Sequence, residues 1–147
     1  MACAPPEKET ACFKILSAQP TFQIWNSATY DIWAGNLVYD IGDVDIFHDD
    51  QHLYINILNA HGYQAVNENL KLNVEKDLAS VDHTSGQYID KFTVSGSSIW
   101  LRATLQCLGY ELGNTDTCDS SLDFYVSIHI DSTVVTAGSQ TAWVGTK

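Results

Sequence analysis

Apolar and polar residues alternate along much of the chain, most regularly within residues 98–131. Two alternating segments lie there on either side of a loop bounded by Cys107 and Cys118. A period of two predicts strands with one buried face and one solvent-facing side. We expect the two strands to be neighbours. Their apolar positions are Ile99, Leu101, Ala103 and Leu105, then Phe124, Val126, Ile128 and Ile130.

Shorter segments with strand character recur along the rest of the chain, separated by turn residues such as Gly35 and Gly96. Sustained helical periodicity is absent. The pattern predicts an all-β protein, specifically an antiparallel β-sandwich of immunoglobulin-like or jelly-roll-like type, with a β-barrel as the alternative. We expect Trp143 to pack across the core. The further predicted strands cover residues 11–16, 21–25, 30–33, 43–47, 53–57, 69–75, 88–94 and 141–144.

The prolines divide the chain into two parts. All three, Pro5, Pro6 and Pro20, lie within the first twenty of 147 residues. We predict a leader over residues 1–20 and a single β domain over residues 21–147. The leader is a tether, a strand of its own domain, or a donor strand for another copy, with Phe13 and Ile15 as donor candidates.

The four cysteines allow three pairings. Cys107 and Cys118 flank a loop between predicted strands, so we favour that pair, which implies an oxidising compartment. Such a bond stabilises a fold by roughly 3 kcal/mol. The start, Met1-Ala2-Cys3 followed by a proline-containing polar stretch, resembles a bacterial lipoprotein truncated before its lipid-bearing cysteine. Cys3 is thus a candidate lipidation site, or Cys3 and Cys12 form a second disulfide or remain thiols.

The charge is strongly acidic, with 7 Lys+Arg against 18 Asp+Glu and a net charge of −11. Such a surface repels phosphate backbones, which argues against nucleic-acid binding. The sequence predicts no transmembrane segment, because no window approaches the length of a membrane span. Ca²⁺ binding is compatible with the charge, because Ca²⁺ takes several oxygen ligands from loops. The candidate ligands are Asp43, Asp45, Asp49, Asp50 and Asp116; the alternative is that they are solvated turn and edge charges.

Two further groups of side chains are candidate sites. His48 and His52 flank a predicted turn and could share a transition metal, although a polar turn is the better interpretation. Aromatic residues make up 11% of the chain. The candidate ligand face comprises Trp100, Arg102, Tyr125 and His129 on the solvent side of the two opening strands. A flat aromatic face can stack sugar rings, unless a loop or another segment covers it.

The order of several segments is similar to an uncharacterised module repeated in bacterial secreted and surface proteins. Its members carry L-Y-A-G-Q, D-V-G-T-V-x-V, N-L-Y-V-x-Y, E-T-H, Y-I-A-A-H-A-V and E-T-A-W in sequence. Two positions depart: E-T-H is Asn67-Glu68-Asn69 here, and E-T-A-W begins with Gln140. The resemblance implies an extracellular β module and supplies no site residues. The matching segments are YDIWAG (30–35), DIGDVDI (40–46), HLYINI (52–57), GY (62–63), ENLKL (68–72), FYVSIHI (124–130) and TAW (141–143).

The sequence contains no G-x-S-x-G, H-E-x-x-H or P-loop motif, so we predict that the protein is not an enzyme. We predict a non-catalytic, extracellular or cell-surface module for adhesion or assembly, and one version of this prediction is a fibre subunit joined through its leader. Its partners would be copies of itself, other surface proteins or glycans. The alternative is a carbohydrate-binding or Ca²⁺-dependent binding module.

Overall fold

Every regular element in the described part of the protein is a β-strand, which confirms the all-β prediction. The computed structural model describes residues 11–20, 26–35, 39–75, 88–109, 125–134 and 137–145. The strands are β1 (Lys14–Leu16), β2 (Asn26–Ala34), β3 (Tyr39–His48), β4 (His52–Asn59), β5 (Leu70–Glu75), β6 (Asp90–Phe92), β7 (Ser98–Thr104), β8 (Tyr125–Val134) and β9 (Gly138–Gly145).

The nine strands form one antiparallel sheet in the order β1-β7-β4-β3-β2-β9-β8-β5-β6. The sheet is curled into a half-barrel. Its two halves meet where β2 pairs with β9, over the four residues from Asp31 to Ala34. β1 and β6, of three residues each, are the two edge strands. Very short edge strands expose few unpaired backbone groups, which limits unwanted strand addition.

The predicted alternation describes the core well. Ile99, Leu101 and Ala103 are buried on β7, whereas Ser98 and Thr104 on its other face are exposed. Each large aliphatic side chain buried in this way contributes about 1.5–3 kcal/mol. Phe124 lies outside the described residues. The fully buried aliphatic residues on the core face include Ile32, Val44, Leu53, Ile55, Ile57, Leu70, Leu72, Leu105, Ile128 and Ile130.

The expected pairing of the two opening strands is wrong. β7 pairs with β4 and β1, and β8 pairs with β9 and β5, so four strands separate β7 from β8. Alternation specifies which face of a strand is buried but carries no information about its partner. Because β8 continues to Val134 and β9 starts at Gly138, a short hairpin connection determines the partner of β8 instead.

The expected position of Trp143 is also wrong. Its neighbours on β9, Ala142 and Val144, pack on the core, so Trp143 lies on the opposite face of the sheet. There its ring meets His129 at 4.6 Å and Tyr88 at 6.4 Å between centroids, both in edge-on geometry. Edge-on aromatic pairs at such distances are favourable because the ring edge is positive and its face negative.

The chain passes from β4 to β5 through residues 60–69, which we call the connector. Its backbone lies along β8, with an isolated antiparallel bridge between Tyr63 and Ser132. Asn69, which is 1% exposed, donates to the carbonyls of Gln64 and Val94 and accepts from the Val94 N–H. These bonds satisfy buried polar groups and hold the connector onto the second half of the sheet.

Candidate functional site

The N-terminal arm, residues 11–16, occupies the edge of the sheet next to β7. Within it, β1 pairs antiparallel with β7, so that Lys14 lies opposite Arg102, Ile15 opposite Leu101 and Leu16 opposite Trp100. The arm therefore adopts one of the roles expected for the leader: it covers an edge of its own domain. Of the donor-strand candidates, Phe13 is buried and Ile15 is 43% exposed.

Phe13 connects the arm to the opposite edge of the sheet. Its backbone N–H donates to Asp90 Oδ1 at 3.0 Å, and Asp90 belongs to β6, the last strand in the order. Asp90 is 1% exposed. This hydrogen bond joins the two edge regions of the sheet.

A disulfide bond joins Cys12 of the arm to Cys107, 95 residues later in the chain. This corrects the predicted pairing of Cys107 with Cys118. The antiparallel register of β1 and β7 places Cys12 level with Thr104, and the turn after β7 brings Cys107 back toward it. The turn is supported by a bond from the Cys107 N–H to Thr104 Oγ1. Because the partner of β1 was not predictable, neither was this pair; Cys3 and Cys118 lie outside the described residues.

The predicted ligand face is divided between the two halves of the sheet. Trp100 and Arg102 are on β7, whereas Tyr125 and His129 are on β8. Trp100 is half-buried, and its ring lies edge-on to that of Phe47 at 5.9 Å between centroids. Phe47 also stacks on Tyr54, which pairs with Arg102 across β4 and β7. The four predicted residues therefore form no common surface.

Two aromatic residues near Trp100 were missed by the sequence interpretation. Phe47 and Tyr54 are 5% and 3% exposed although they lie on the face opposite the core. Burial raises the pKa of the Tyr54 phenol, and the charge of Asp49 adds to the effect, whereas Arg102 opposes it. The signal was available: in β4, Tyr54 alternates with the core residues Leu53 and Ile55.

His129 is buried in the other half of the sheet. It is 8% exposed, packs edge-on against Trp143, and pairs with Lys71 across β5 and β8. Desolvation lowers the pKa of the imidazole; the charge of Lys71 adds to this effect, whereas that of Asp131 opposes it. A buried neutral imidazole is not a surface for ligand stacking, so His129 is a structural residue of this half.

The structure brings together a different set of carboxylates from the one predicted. Carboxylate oxygens of Asp31, Asp40 and Asp43 lie within 4.8 Å of one another. A β-bulge in the pairing of β2 with β3 leaves Ile41 in the core and places Asp40 on the outer face beside Asp43. Partial desolvation and the charges of Asp40 and Asp31 raise the pKa of Asp43. Among the residues whose structure is described, these three groups could hold a cation.

The other predicted Ca²⁺ ligands have different roles in the described residues. Asp45 accepts a bond from Thr29 Oγ1 at 2.7 Å. Asp49 Oδ1 accepts from the backbone N–H groups of Gln51 and His52 at 2.8 and 2.7 Å. Asp49 thus organises the turn between β3 and β4, as expected for a polar hairpin turn. Asp50 is exposed in that turn, and Asp116 lies outside the described residues.

The turn also defines the surroundings of the predicted histidine pair. His48 Nδ1 forms a bond with the Asp49 carbonyl oxygen at 3.0 Å, and His52 Nδ1 lies 3.9 Å from Asp49 Oδ1. Both imidazoles are therefore engaged with the turn residue Asp49, and the geometry favours the polar turn over a shared metal.

Comparison of the chain with family models, with curated proteins and with solved structures gives no match. Among the residues whose structure is described, no helix is long and apolar enough to cross a membrane.

Proposed function

We propose that this chain is a non-catalytic extracellular β module, associated with the cell surface, that serves adhesion or assembly. The disulfide between Cys12 and Cys107 carries the proposal. Protein disulfides are formed and kept in oxidising compartments, including the cell surface and the periplasm, and are rare in the cytosol. We further propose that the fold of this module is an immunoglobulin-like or jelly-roll-like sandwich rather than a barrel.

The position of the disulfide favours assembly over ligand binding. The bond holds the short edge strand β1 on β7, at the edge of the sheet where another chain could add a strand. The separation of Trp100 and Arg102 from Tyr125 and His129 weakens the sugar-binding alternative. The carboxylates of Asp31, Asp40 and Asp43 crowd together, but a group of exposed acids is common without an ion, so Ca²⁺-dependent binding has less support.

The proposal is tested on the protein in its native cells. Intact cells are labelled with a membrane-impermeant amine reagent, and the protein is isolated after thiols have been blocked during lysis. We expect surface labelling, together with a peptide crosslink between Cys12 and Cys107. A protein that escapes the label and carries both cysteines as thiols would overturn the proposed location.

A further inference from the structure

We propose that the β7 edge at Trp100, Leu101 and Arg102 is an acceptor site for the N-terminal arm of a second copy of this chain. A small thiol opens the site by exchange with the bond between Cys12 and Cys107. This inference rests on the proposed role in assembly, because it names the partner and the chemistry of that same edge.

Apart from its covalent bond, the arm meets β7 through a short strand. β1 forms three register pairs, and its side chains are largely exposed: Lys14 is exposed, Ile15 is 43% exposed and Leu16 is half-buried. The buried anchors are Cys12 and Phe13, at 6% and 4% exposure. Without the disulfide, the arm would depend on noncovalent contacts such as the three register pairs and the bond from Phe13 to Asp90.

All these contacts lie between the arm and the rest of the domain. The arm of another copy has the same sequence, so it can make the same contacts. The segment that follows, residues 17–19, is exposed. Domain exchange has a low energetic cost when an element makes identical contacts in its own and in a partner subunit. An exchanged arm would again pair with β7, place the Phe13 N–H on Asp90 and align Cys12 with Cys107.

The chemistry of exchange requires only a catalytic thiol. Cys107 is more exposed than Cys12, so a small thiolate attacks Cys107 Sγ, and Cys12 Sγ leaves as a thiolate. In a second copy, the same attack has freed the Cys12 thiolate and left a mixed disulfide at Cys107. That Cys12 thiolate then attacks Cys107 Sγ in the mixed disulfide of the first copy. A disulfide forms between the two copies, and the small thiolate is released. After the reciprocal attack, two disulfides within single copies have been replaced by two disulfides between copies, both small thiolates are released, and there is no net oxidation.

The arm should be replaceable by a peptide with its own sequence. The full chain is mixed with catalytic glutathione and with a synthetic peptide of residues 11–19 (ACFKILSAQ). The matched control peptide has the same composition and the same cysteine position but a scrambled order after it. Mass spectrometry measures the adduct and locates it at Cys107, at Cys3 or at Cys118. We expect at least ~10-fold more adduct at Cys107 with the arm sequence, which corresponds to ~1.4 kcal/mol.

A second measurement tests exchange between whole chains. Copies with natural and with heavy nitrogen are mixed with glutathione, and we expect peptides in which Cys12 of one isotope is linked to Cys107 of the other. Equal capture of both peptides, or crosslinks within single copies only, would overturn the acceptor site. Neither result bears on surface labelling in cells, so the inference can fail while the proposed function stands.

Discussion

The N-terminal arm and the connector both join one half of the sheet to the other, but they are attached in different ways. The connector leads from β4 to β5 and is bound along β8 by backbone and amide bonds. Gln64 Nε2, for example, donates to the carbonyls of Ser132 and Gln140. The arm bridges the edge regions of β7 and β6 through one disulfide, three register pairs and the bond from Phe13 to Asp90.

The difference indicates which of the two segments can be detached from the folded sheet. Breaking one bond of the connector leaves the others in place and leaves buried polar groups unsatisfied, each at a cost of about 1–3 kcal/mol. The connector is therefore held by several hydrogen bonds that do not depend on thiol chemistry. The attachment of the arm includes one covalent bond that thiols can exchange, so it responds to the chemistry of its surroundings.

The largest effect is expected from removal of the arm's covalent bond. Substitution of Cys12→Ser with Cys107→Ser removes a crosslink across 95 residues of chain. The unfolded chain gains loop entropy, so we expect a loss of about 4 kcal/mol in the free energy of unfolding, measured by urea denaturation.

The control for this prediction is Cys118→Ser. A loss of stability as large as that of the double variant would support the pairing of Cys107 with Cys118 and contradict the structure. With Cys12 and Cys107 joined, we expect no loss of that size from Cys118→Ser.

The connector is best tested at Asn69. Asn69→Ala removes three hydrogen bonds. The Val94 N–H and the carbonyls of Gln64 and Val94 then lose the buried Asn69 amide as their partner. We expect a loss of about 3 kcal/mol in the free energy of unfolding. Asn67→Ala is the matched control, because Asn67 is exposed and accepts one bond from Thr93 Oγ1. Equal losses in both variants would show that burial of the amide is not what holds the connector.

The place where the connector leaves the sheet gives a third prediction. Gly42 pairs with Asn59, and a Cβ added to Gly42 would lie 1.8 Å from the carbonyl oxygen of Leu58. Since backbone must move to accommodate it, Gly42→Ala should cost about 2 kcal/mol. Gly96→Ala is the control for steric contact, since a Cβ there meets nothing within 4 Å, although its φ of +97° adds strain. An unaffected Gly42→Ala melting temperature would contradict the close approach.

Much of the fold follows from local pattern. Strand positions and buried faces were predictable because each depends on the alternation within a few residues, as at Leu53, Ile55 and Ile57. The pairing of strands depends on contacts distant in sequence. For this reason we predicted wrongly that β7 lies beside β8. The predicted partner of Cys107 depended on that pairing and was wrong as well.

The candidate site depended on two features that leave little trace in the sequence. The arm pairs through three residues with no strong alternation, so neither its partner nor the contact of Phe13 with Asp90 could be read from the pattern. The bulge at Ile41 reverses the face of Asp40, and Asp31, on a different strand, completes the group of acids. The acidic segment around Asp43 could be recognised in the sequence, but the sequence did not show which of its carboxylates lie on one surface.

The half of the sheet that binds the connector should be sensitive to acid through His129. Its folded-state pKa is lowered mainly by desolvation. As the pH falls below about 6.5, the unfolded chain takes up a proton that the folded state resists, so stability falls until the folded-state pKa is reached. His129→Gln should therefore lose less stability than the wild type between about pH 7.5 and pH 5.5 in urea denaturation. Identical losses in the two proteins would contradict the burial of a neutral imidazole. His61→Gln, which replaces a histidine within the connector, is the control.

The half that binds the arm should show the opposite sign through Asp43, with the smallest effect. Partial desolvation raises its folded-state pKa, and the charges of Asp40 and Asp31 add to the effect. Both costs of the ionised form are present at neutral pH and are relieved as the pH falls through that pKa. Asp43→Asn should then stabilise the protein by about 0.5 kcal/mol at neutral pH, as expected when like charges on facing strands are removed. Asp50→Asn, in the exposed turn, is the control.

A loss of stability in Asp43→Asn would mean that this carboxylate is attractive where it stands. That result calls for the same measurement with Ca²⁺ added, because a bound cation is what reverses the sign of such a cluster. Stabilisation of the wild type by Ca²⁺, without a matching gain in Asp43→Asn, would place a cation among the three carboxylates. Since these acids lie on the outer face of β2 and β3, and the arm lies on β7, such a site would act independently of the exchange of the arm.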